Sequence, residues 1–372
     1  MGSEMCIRDS YIGELLAGLD PETLANTLVV LTADHGEELA DHGGWKHGQT
    51  LYEEQIHVPL IFRWDRHIPA GQRLRGTVRL VDLEPTLLAA AGGPADPGAE
   101  GIDLLPALAG RTPLPERPAF AEGLSGGPLR AAAVAGKLKL VLFNREEPFH
   151  PANELQDHLW KLDLSRLQRA ELYDLGSDRA ERRRLELGGG DGGREANPAA
   201  RAEQVARLDA AIERRLDLAL PGLRVHAAGV APGSRLTGTI DFARPPARWV
   251  PHFLAAGDRV ELAGTRLRFD LTGDVIEKGL RVEGDFGGLA GVSAALDGRP
   301  LPGGRIFLGA DGGGYAGGAV AAARLRSRFF PAGPAAGGVL KIWLHDASGE
   351  VARRATPDAE TERRLRALGY TQ

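Results

Sequence analysis

An α/β unit, with a partial mixed sheet and flanking helices, followed by a β-sandwich-like unit is the architecture this sequence predicts. Three observations carry it. A helical spacing of apolar residues at 11–19 leads into the continuous apolar run 28–33, which reads as a strand buried on both faces. A helix feeding such a strand implies a βαβ layout with parallel neighbours. After Pro221 the pattern changes to short alternating segments cut by Gly and Pro, as at 259–270 and 279–284, which is the signature of a sandwich or jelly roll.

Taken in order, Ile12, Leu15, Leu16 and Leu19 supply the first helical face, and Pro21 opens a further turn. The run 58–64 is a second short strand, with Pro59 at its start, where a missing N–H is tolerated. Asp82 caps a helix over 82–91, with Pro85 in its first turn and Gly92 and Gly93 ending it. Residues 131–143 predict one or two strands, Lys137 and Lys139 sharing an exposed face against Leu138 and Leu140. A charged turn and helix start is expected over 178–187, then a flexible Gly joint at 188–193. Val205, Leu208, Ile212 and Leu216 form one helical stripe that must pack on something. The Gly-rich run 309–318 lacks the following helix of a phosphate loop. Thr356 as N-cap and Pro357 at the first position open a closing helix that ends at Gly369. The expected divisions are therefore 1–10, 11–187, a linker and amphipathic helix at 188–221, a β-rich accessory domain at 222–351, and a helix at 352–372.

The first ten residues, MGSEMCIRDS, stand apart. Residues 5–10 back-translate to ATG TGT ATA AGA GAC AGC and resemble the end of a transposase sequencing adapter read as protein, so the natural frame is expected to enter near Tyr11. The single cysteine, Cys6, falls in that segment, which removes disulfides and thiolate metal sites from the expectation. A length of 372 residues suits two domains. A net charge of -5, with both signs mixed along the chain, gives no basic footprint for nucleic acid. No apolar run approaches the roughly 20 residues of a membrane span.

Chemistry concentrates in TADHGEELADHGGWKHGQTLYEEQIHVPL at 32–60. The apolar strand ends on Asp34 and His35, the position where open sheets collect ligands. A carboxylate and an imidazole side by side can turn toward one divalent cation, although two ligands do not complete a shell. A sulfate or phosphate ester spreads negative charge over oxygens that need such fixed positive partners. Gly36 lets the chain turn away, and 37–39 reads as a helix start. His47, on the Gly-rich loop 43–48, can approach the same anion, with Lys46 as the alternative donor. Asp41 and His42 read as a structural surface turn. Glu53 and Glu54 read as capping and salt-bridge residues, because helix neighbours point to different faces. Tyr173 and Asp174 read as packing and turn residues.

This segment resembles the signature of the sulfatase family within the alkaline-phosphatase-like superfamily. The similarity continues through VRLVDLEPTLLAAAGG at 78–93, GIDLLPAL at 101–108, GKLKLV at 136–141, ELYDLGSDRAE at 171–181 and the terminal RRLRALGY. The resemblance implies that the chain is the C-terminal part of the catalytic fold. It also implies that Asp34 and His35 are the family's second pair of metal ligands, usually for calcium, and that His47 or Lys46 contacts the sulfate. By the same implication the parent is a bacterial, periplasmic or extracellular hydrolase of sulfate esters on small molecules or glycans. Three departures stand out. No C/S-x-P/A-x-R motif for a formylglycine nucleophile is present, since Cys6 is followed by Ile7, Arg8 and Asp9. The family's paired N-terminal aspartates are missing, and His57 stands where an Arg usually precedes V-P-L. The chain alone is therefore expected to be inactive. One rival reading is a fragment of a phosphodiesterase or phosphonate monoester hydrolase, for which the Asp34 and His35 pair also suits manganese or zinc. A rival of another class makes the β-rich domain a carbohydrate-binding or interaction module. Against it, Trp249, Phe253, Phe269, Phe286, Phe329 and Trp343 are scattered at positions more often found in a core.

Overall fold

In a computed structural model the described residues are 2–48, 50–123, 130–144, 169–187, 198–219, 222–309, 313–327 and 339–345. The chain divides into two compact units, one of residues 1–143 with 148–195, the other of 144–147 with 196–372. The expected joint at 188–193, the closing helix and the terminal motif lie outside the described residues.

The first unit opens with α1 (Gly2–Ala17), which runs unbroken across residue 10, and α2 (Pro21–Ala25). Asp20 caps α2 by accepting hydrogen bonds from the amides of Glu22 and Thr23. The apolar run yields β1 (Val29–Thr32), only partly buried rather than sealed on both faces. Next come β2 (Glu38–Leu39), β3 (Trp45–Lys46), α3 (Glu53–Ile56) and β4 (Leu60–Arg63). Where the sequence led to parallel neighbours, β1 instead pairs antiparallel with β4, Thr32 opposite Leu60. The physical reason is the connection: α3 is a single turn, not the crossover helix a parallel pair requires. A 3-10 turn at Leu80–Asp82 runs into α4 (Leu83–Ala90), and α5 (Leu105–Leu108) follows. The Asp82 side chain does not cap α4 as expected, because it is engaged elsewhere. Fully buried, it accepts from the amides of Arg79 and Ile102 and from the Arg117 guanidinium, tying three stretches of chain together.

Strands β5 (Ala119–Gly123), β6 (Arg130–Ala135), β7 (Leu138–Phe143) and β8 (Ala170–Asp174) form an antiparallel meander. Gly136, at φ 60°, supplies the left-handed residue that turns β6 into β7. Ala132, Val141, Phe143 and Tyr173 from this sheet pack with Leu51 and Tyr52. Residues 178–187 form turns and an isolated bridge at Leu185 rather than the expected helix start, because their backbone is tied to the sheet by Leu185 N donating to Leu172 O.

The second unit begins with α6 (Pro198–Ala219), whose stripe Val205, Leu208, Ile212 and Leu216 is buried as its spacing requires. Its strands are β9 (Gly222–Ala228), β10 (Arg235–Phe242), β11 (Arg248–His252), β12 (Arg259–Ala263), β13 (Arg266–Thr272), β14 (Lys278–Glu283), β15 (Gly288–Leu296), β16 (Arg299–Pro300), β17 (Ile306–Leu308), β18 (Gly313–Gly314) and β19 (Val320–Ala321). A short α7 (Ala322–Leu325) precedes β20 (Val339–His345). One sheet runs β12-β13-β10-β15-β16 with β19 beside β15, and the other runs β11-β14-β9-β20-β17-β18. Only β17 and β20, among the described pairs, are parallel.

Alternate residues of both sheets, including Leu236, Ile240, Leu271, Val225, Leu280 and Ile342, fill a common core, so this is the sandwich the alternation predicted. Phe253, Phe269, Phe286 and Trp343 are buried and Trp249 is partly so, which makes them packing residues; Phe329 lies outside the described residues. On β9 and β20 the opposite face is buried too: Arg224, His226, Lys341 and Trp343 alternate with the core residues. The Arg224 guanidinium donates to the Leu216 carbonyl of α6, which covers that face.

Candidate metal and anion site

The site is built by a strand end and a small hairpin. Past β1 the chain bends at Asp34, whose Oδ1 accepts from the His35 amide at 2.9 Å. His35 Nδ1 lies 2.8 Å from the Gly36 carbonyl, which can only accept, so that nitrogen carries the proton and Nε2 is left to ligate. Nε2 stands 3.7 Å from Asp34 Oδ2. That is too long for a hydrogen bond and near the spacing of neighbouring ligands on one cation, given metal–ligand distances of about 2.1 to 2.4 Å. The side chains are 34% exposed for His35 and 58% for Asp34, so the pair opens to solvent.

Gly36 is required by close approach. A Cβ there would lie 1.9 Å from the Glu54 carbonyl oxygen, and the Gly36 amide donates to Gln55 O at 2.8 Å. The strand end is thereby fastened to α3.

The expected helix start at 37–39 is instead β2, paired antiparallel with β3 in the register Glu38 with Lys46. One step further along that register, Glu37 meets His47, and their Oε1 and Nδ1 are 2.6 Å apart. The His47 ring then lies against His35, centroids 4.1 Å apart and tilted by 37°. His35, Glu37 and His47 each offer one ligand atom, all within 4.8 Å of one another. The donor set His35, Glu37 and His47, with Asp34 beside His35, offers oxygen and nitrogen of the kind a divalent cation takes. Lys46 lies in β3, but its side chain falls outside what is described.

Glu38 points the other way and holds the hairpin shut. Fully buried, it accepts from the amides of His42 and Gly44, from Thr50 Oγ1 and from Gln55 Nε2. Gln55 Oε1 accepts from the Gly48 amide, so one side chain ties the His47 loop to α3. The structural turn at 41–42 is bonded as such: His42 Nδ1 is 2.6 Å from Glu54 Oε1, and its ring stacks on Tyr52. Burial pulls the His42 imidazole down, but the Glu54 hydrogen bond and charge and the Glu181 carbonyl outweigh it and hold it above its usual range.

Lys139 departs most from expectation. Read as an exposed strand residue, it is fully buried, with Nζ 3.1 Å from Glu53 Oε1 and 2.9 Å from Glu181 Oε1. Glu181, at φ 52°, also accepts from the Glu53 amide at the start of α3. Burial raises the Glu181 carboxyl even though Lys139 opposes it. Glu53 and Glu54 thus hold α3 in place, as salt-bridge residues should. Tyr52 and Tyr173 both donate to Glu171 at 2.8 Å, and burial pushes both hydroxyls up. His57 lies against an arginine: Arg179 Nη2 is 3.1 Å from its Nε2. Arg130 donates to the Gly48 carbonyl, and burial lowers its guanidinium to about 10.

Residues 7–93 match the sulfatase family profile. The likeness to sulfatases is thus confined to the first part of the chain. It is similar to arylsulfatase K of Canis lupus familiaris, at 36% identity over 104 residues, covering 27% of this chain and 19% of that protein. It is also similar to N-acetylgalactosamine-6-sulfatase of Sus scrofa, at 39% over 124 residues, covering 30% and 23% respectively. An N-acetylglucosamine-6-O-sulfatase of Bacteroides thetaiotaomicron is 38% identical over 108 residues, covering 28% and 19%. The match thus spans about a fifth of the length of these curated relatives. A solved structure in complex with D-glucosamine-2-N,6-O-disulfate aligns at TM-score 0.43 and 25% identity, covering 55% of this chain and 37% of that one. The phosphonate monoester hydrolase of Silicibacter pomeroyi aligns at 0.37 and 25%, covering 54% and 37%. No helix among the described residues is long and apolar enough to cross a membrane.

Proposed function

We propose that this chain is part of a sulfuric ester hydrolase. Asp34 and His35 hold one side of a divalent cation, calcium in the first instance, and His47 faces the anionic group of the ester with Lys46 as a second donor. The observation that carries the reading is the approach of Asp34 Oδ2 to His35 Nε2 at 3.7 Å, inside the segment that matches the sulfatase family. When bound, the cation supplies fixed positive charge to oxygens that become more negative as the ester breaks. Glu37 holds Nδ1 of His47, which turns Nε2 of that ring outward. Gly36 and Gln55 keep the two halves in register. The substrate class is a sulfated sugar, in keeping with the sulfated hexosamines in the names of two relatives.

The formylglycine nucleophile lies outside these 372 residues in this proposal, so the chain by itself does not turn over an ester. Calcium titration tests the metal assignment: one bound ion is expected, and it is lost in Asp34→Ala. Binding undiminished in that variant refutes the assignment, and metal-dependent hydrolysis of an aryl sulfate by the chain alone refutes the placement of the nucleophile.

A second reading rests on the nitrogen content of the donor set. Two imidazoles beside one carboxylate suit manganese or zinc better than calcium, which takes oxygen. That composition favours a phosphodiesterase or phosphonate monoester hydrolase parent. Tighter binding of zinc than of calcium at Asp34 supports it.

A further inference from the structure

The face of the second unit covered by α6 holds a cluster that the ester-hydrolase reading does not use. Strand alternation sends Val225 and Ile342 into the sandwich core and turns His226 and Lys341 to the other side, where α6 delivers Asp209 and Glu213. His252, at the end of β11, joins them. Both Glu213 oxygens lie 2.7 Å from His252 Nε2. His226 Nδ1 stands 3.5 Å from Glu213 Oε2 and 3.8 Å from Glu277 Oε2. The two rings are 4.6 Å apart.

The separations divide: His252 Nε2 sits at hydrogen-bond distance from Glu213, whereas His226 Nδ1 stands 3.5 and 3.8 Å from the two carboxylates, near the roughly 3.4 Å between ligands at about 2.1 Å around a tetrahedral ion. Glu213, His226 and His252 each present one ligand atom within 4.8 Å of the others, and all three side chains are buried. Glu277 borders the cluster: its amide donates to Asp209 Oδ2 at 2.8 Å, and Lys341 Nζ lies 3.4 Å from Oε1 while Oε2 is 3.8 Å from His226 Nδ1.

We propose that Glu213, His226 and His252 form a buried, structural site for a divalent cation of the zinc class, joining α6 to the sheet it covers. Two imidazoles and a carboxylate, all buried, are a nitrogen and oxygen set that suits zinc.

The site is separable from the one at Asp34. In the full chain carrying Asp34→Ala, His35→Ala and His47→Ala, one equivalent of zinc is expected to bind, and cobalt in its place gives the visible absorption of a tetrahedral centre. Adding Glu213→Gln or His252→Gln weakens zinc binding by at least about a hundredfold, the upper end of what a change outside the first ligand shell already costs. Absence of zinc binding by the triple variant overturns the proposal, as does unchanged affinity after either further substitution. Nitrogen-15 histidine spectra of the triple variant give a readout that needs no core substitution: the His226 and His252 resonances move on zinc addition, and unmoved resonances overturn the site.

Discussion

The two units bury their polar groups in opposite circumstances. In the second, residues from two sheets fill one continuous apolar core, and the buried charges gather in a separate layer beneath α6. In the first, the apolar cluster around Leu51, Tyr52 and Val141 is small, and among the described residues the large exposed apolar side chains, Tyr11, Leu15, Leu39, Trp45, Ile61, Leu80, Val81 and Leu87, belong to this unit. Its order depends more on directed polar contacts, those of Lys139, Glu38, Gln55 and Asp82. A unit held by area loses stability in proportion to what is trimmed, whereas one held by bonded charges fails when a single partner is removed.

The contrast is broken most forcefully at Lys139. Lys139→Ala leaves Glu53 and Glu181 facing each other in a buried place and is expected to cost about 3 to 5 kcal/mol, unfolding the first unit while the second melts unchanged. Calorimetry that resolves two transitions checks it; an unmoved first transition would show that the pair contributes little. Next in size is Leu236→Ala in the sandwich core, at about 3 kcal/mol on the second transition alone. A shift in both transitions would mean the units do not melt independently.

Acidity sharpens the comparison further. His42 in the folded first unit sits above its ordinary value, so its contribution is fully present below the unfolded value of 6.5 and is lost as pH rises through the folded one. Glu277 follows the same sign: burial raises it from 4.5 to about 7, so in chelator its contribution to the second unit is present below 4.5 and gone above about 7. Melting followed from pH 4 to pH 8 should show losses in the two units that vanish separately in His42→Gln and Glu277→Gln. The smallest effect is expected at Ile61, on a strand paired only with β1 among the described residues. Ile61→Lys should change stability by under about 0.5 kcal/mol yet reduce the association that this exposed strand invites, as measured by light scattering. A wild-type chain that is already monodisperse would remove the premise.

What the sequence disclosed follows from the range over which each signal acts. The α6 stripe and the alternation of β10 and β13 are local periodicities, and they appear as expected. That Asp34 and His35 follow directly on a strand was legible from the apolar run before them. The hairpin of β2 and β3 was not, since strands of two residues have no period to detect. Glu37 was missed for the same reason, because only pairing across that hairpin carries it to His47. Lys139 alternated correctly and was still assigned to the wrong surroundings, for its partners lie 86 and 42 positions away in the chain. His226 and His252 occupied ordinary strand positions, and nothing within a few residues of either predicts a carboxylate supplied by a helix.

The neighbouring acids Glu37 and Glu38 do opposite jobs because consecutive strand residues point to opposite sides, one outward to the imidazole and one inward to the amides of the turn. The length of the turn at 40–44 is therefore a chemical setting as well as a structural one. One residue inserted there would exchange the two carboxylates: the fastening acid would swing out into the solvent-facing cluster, and the outward one would be driven into the interior, so that a neutral-looking insertion would undo the proposed cation site without replacing any of its residues.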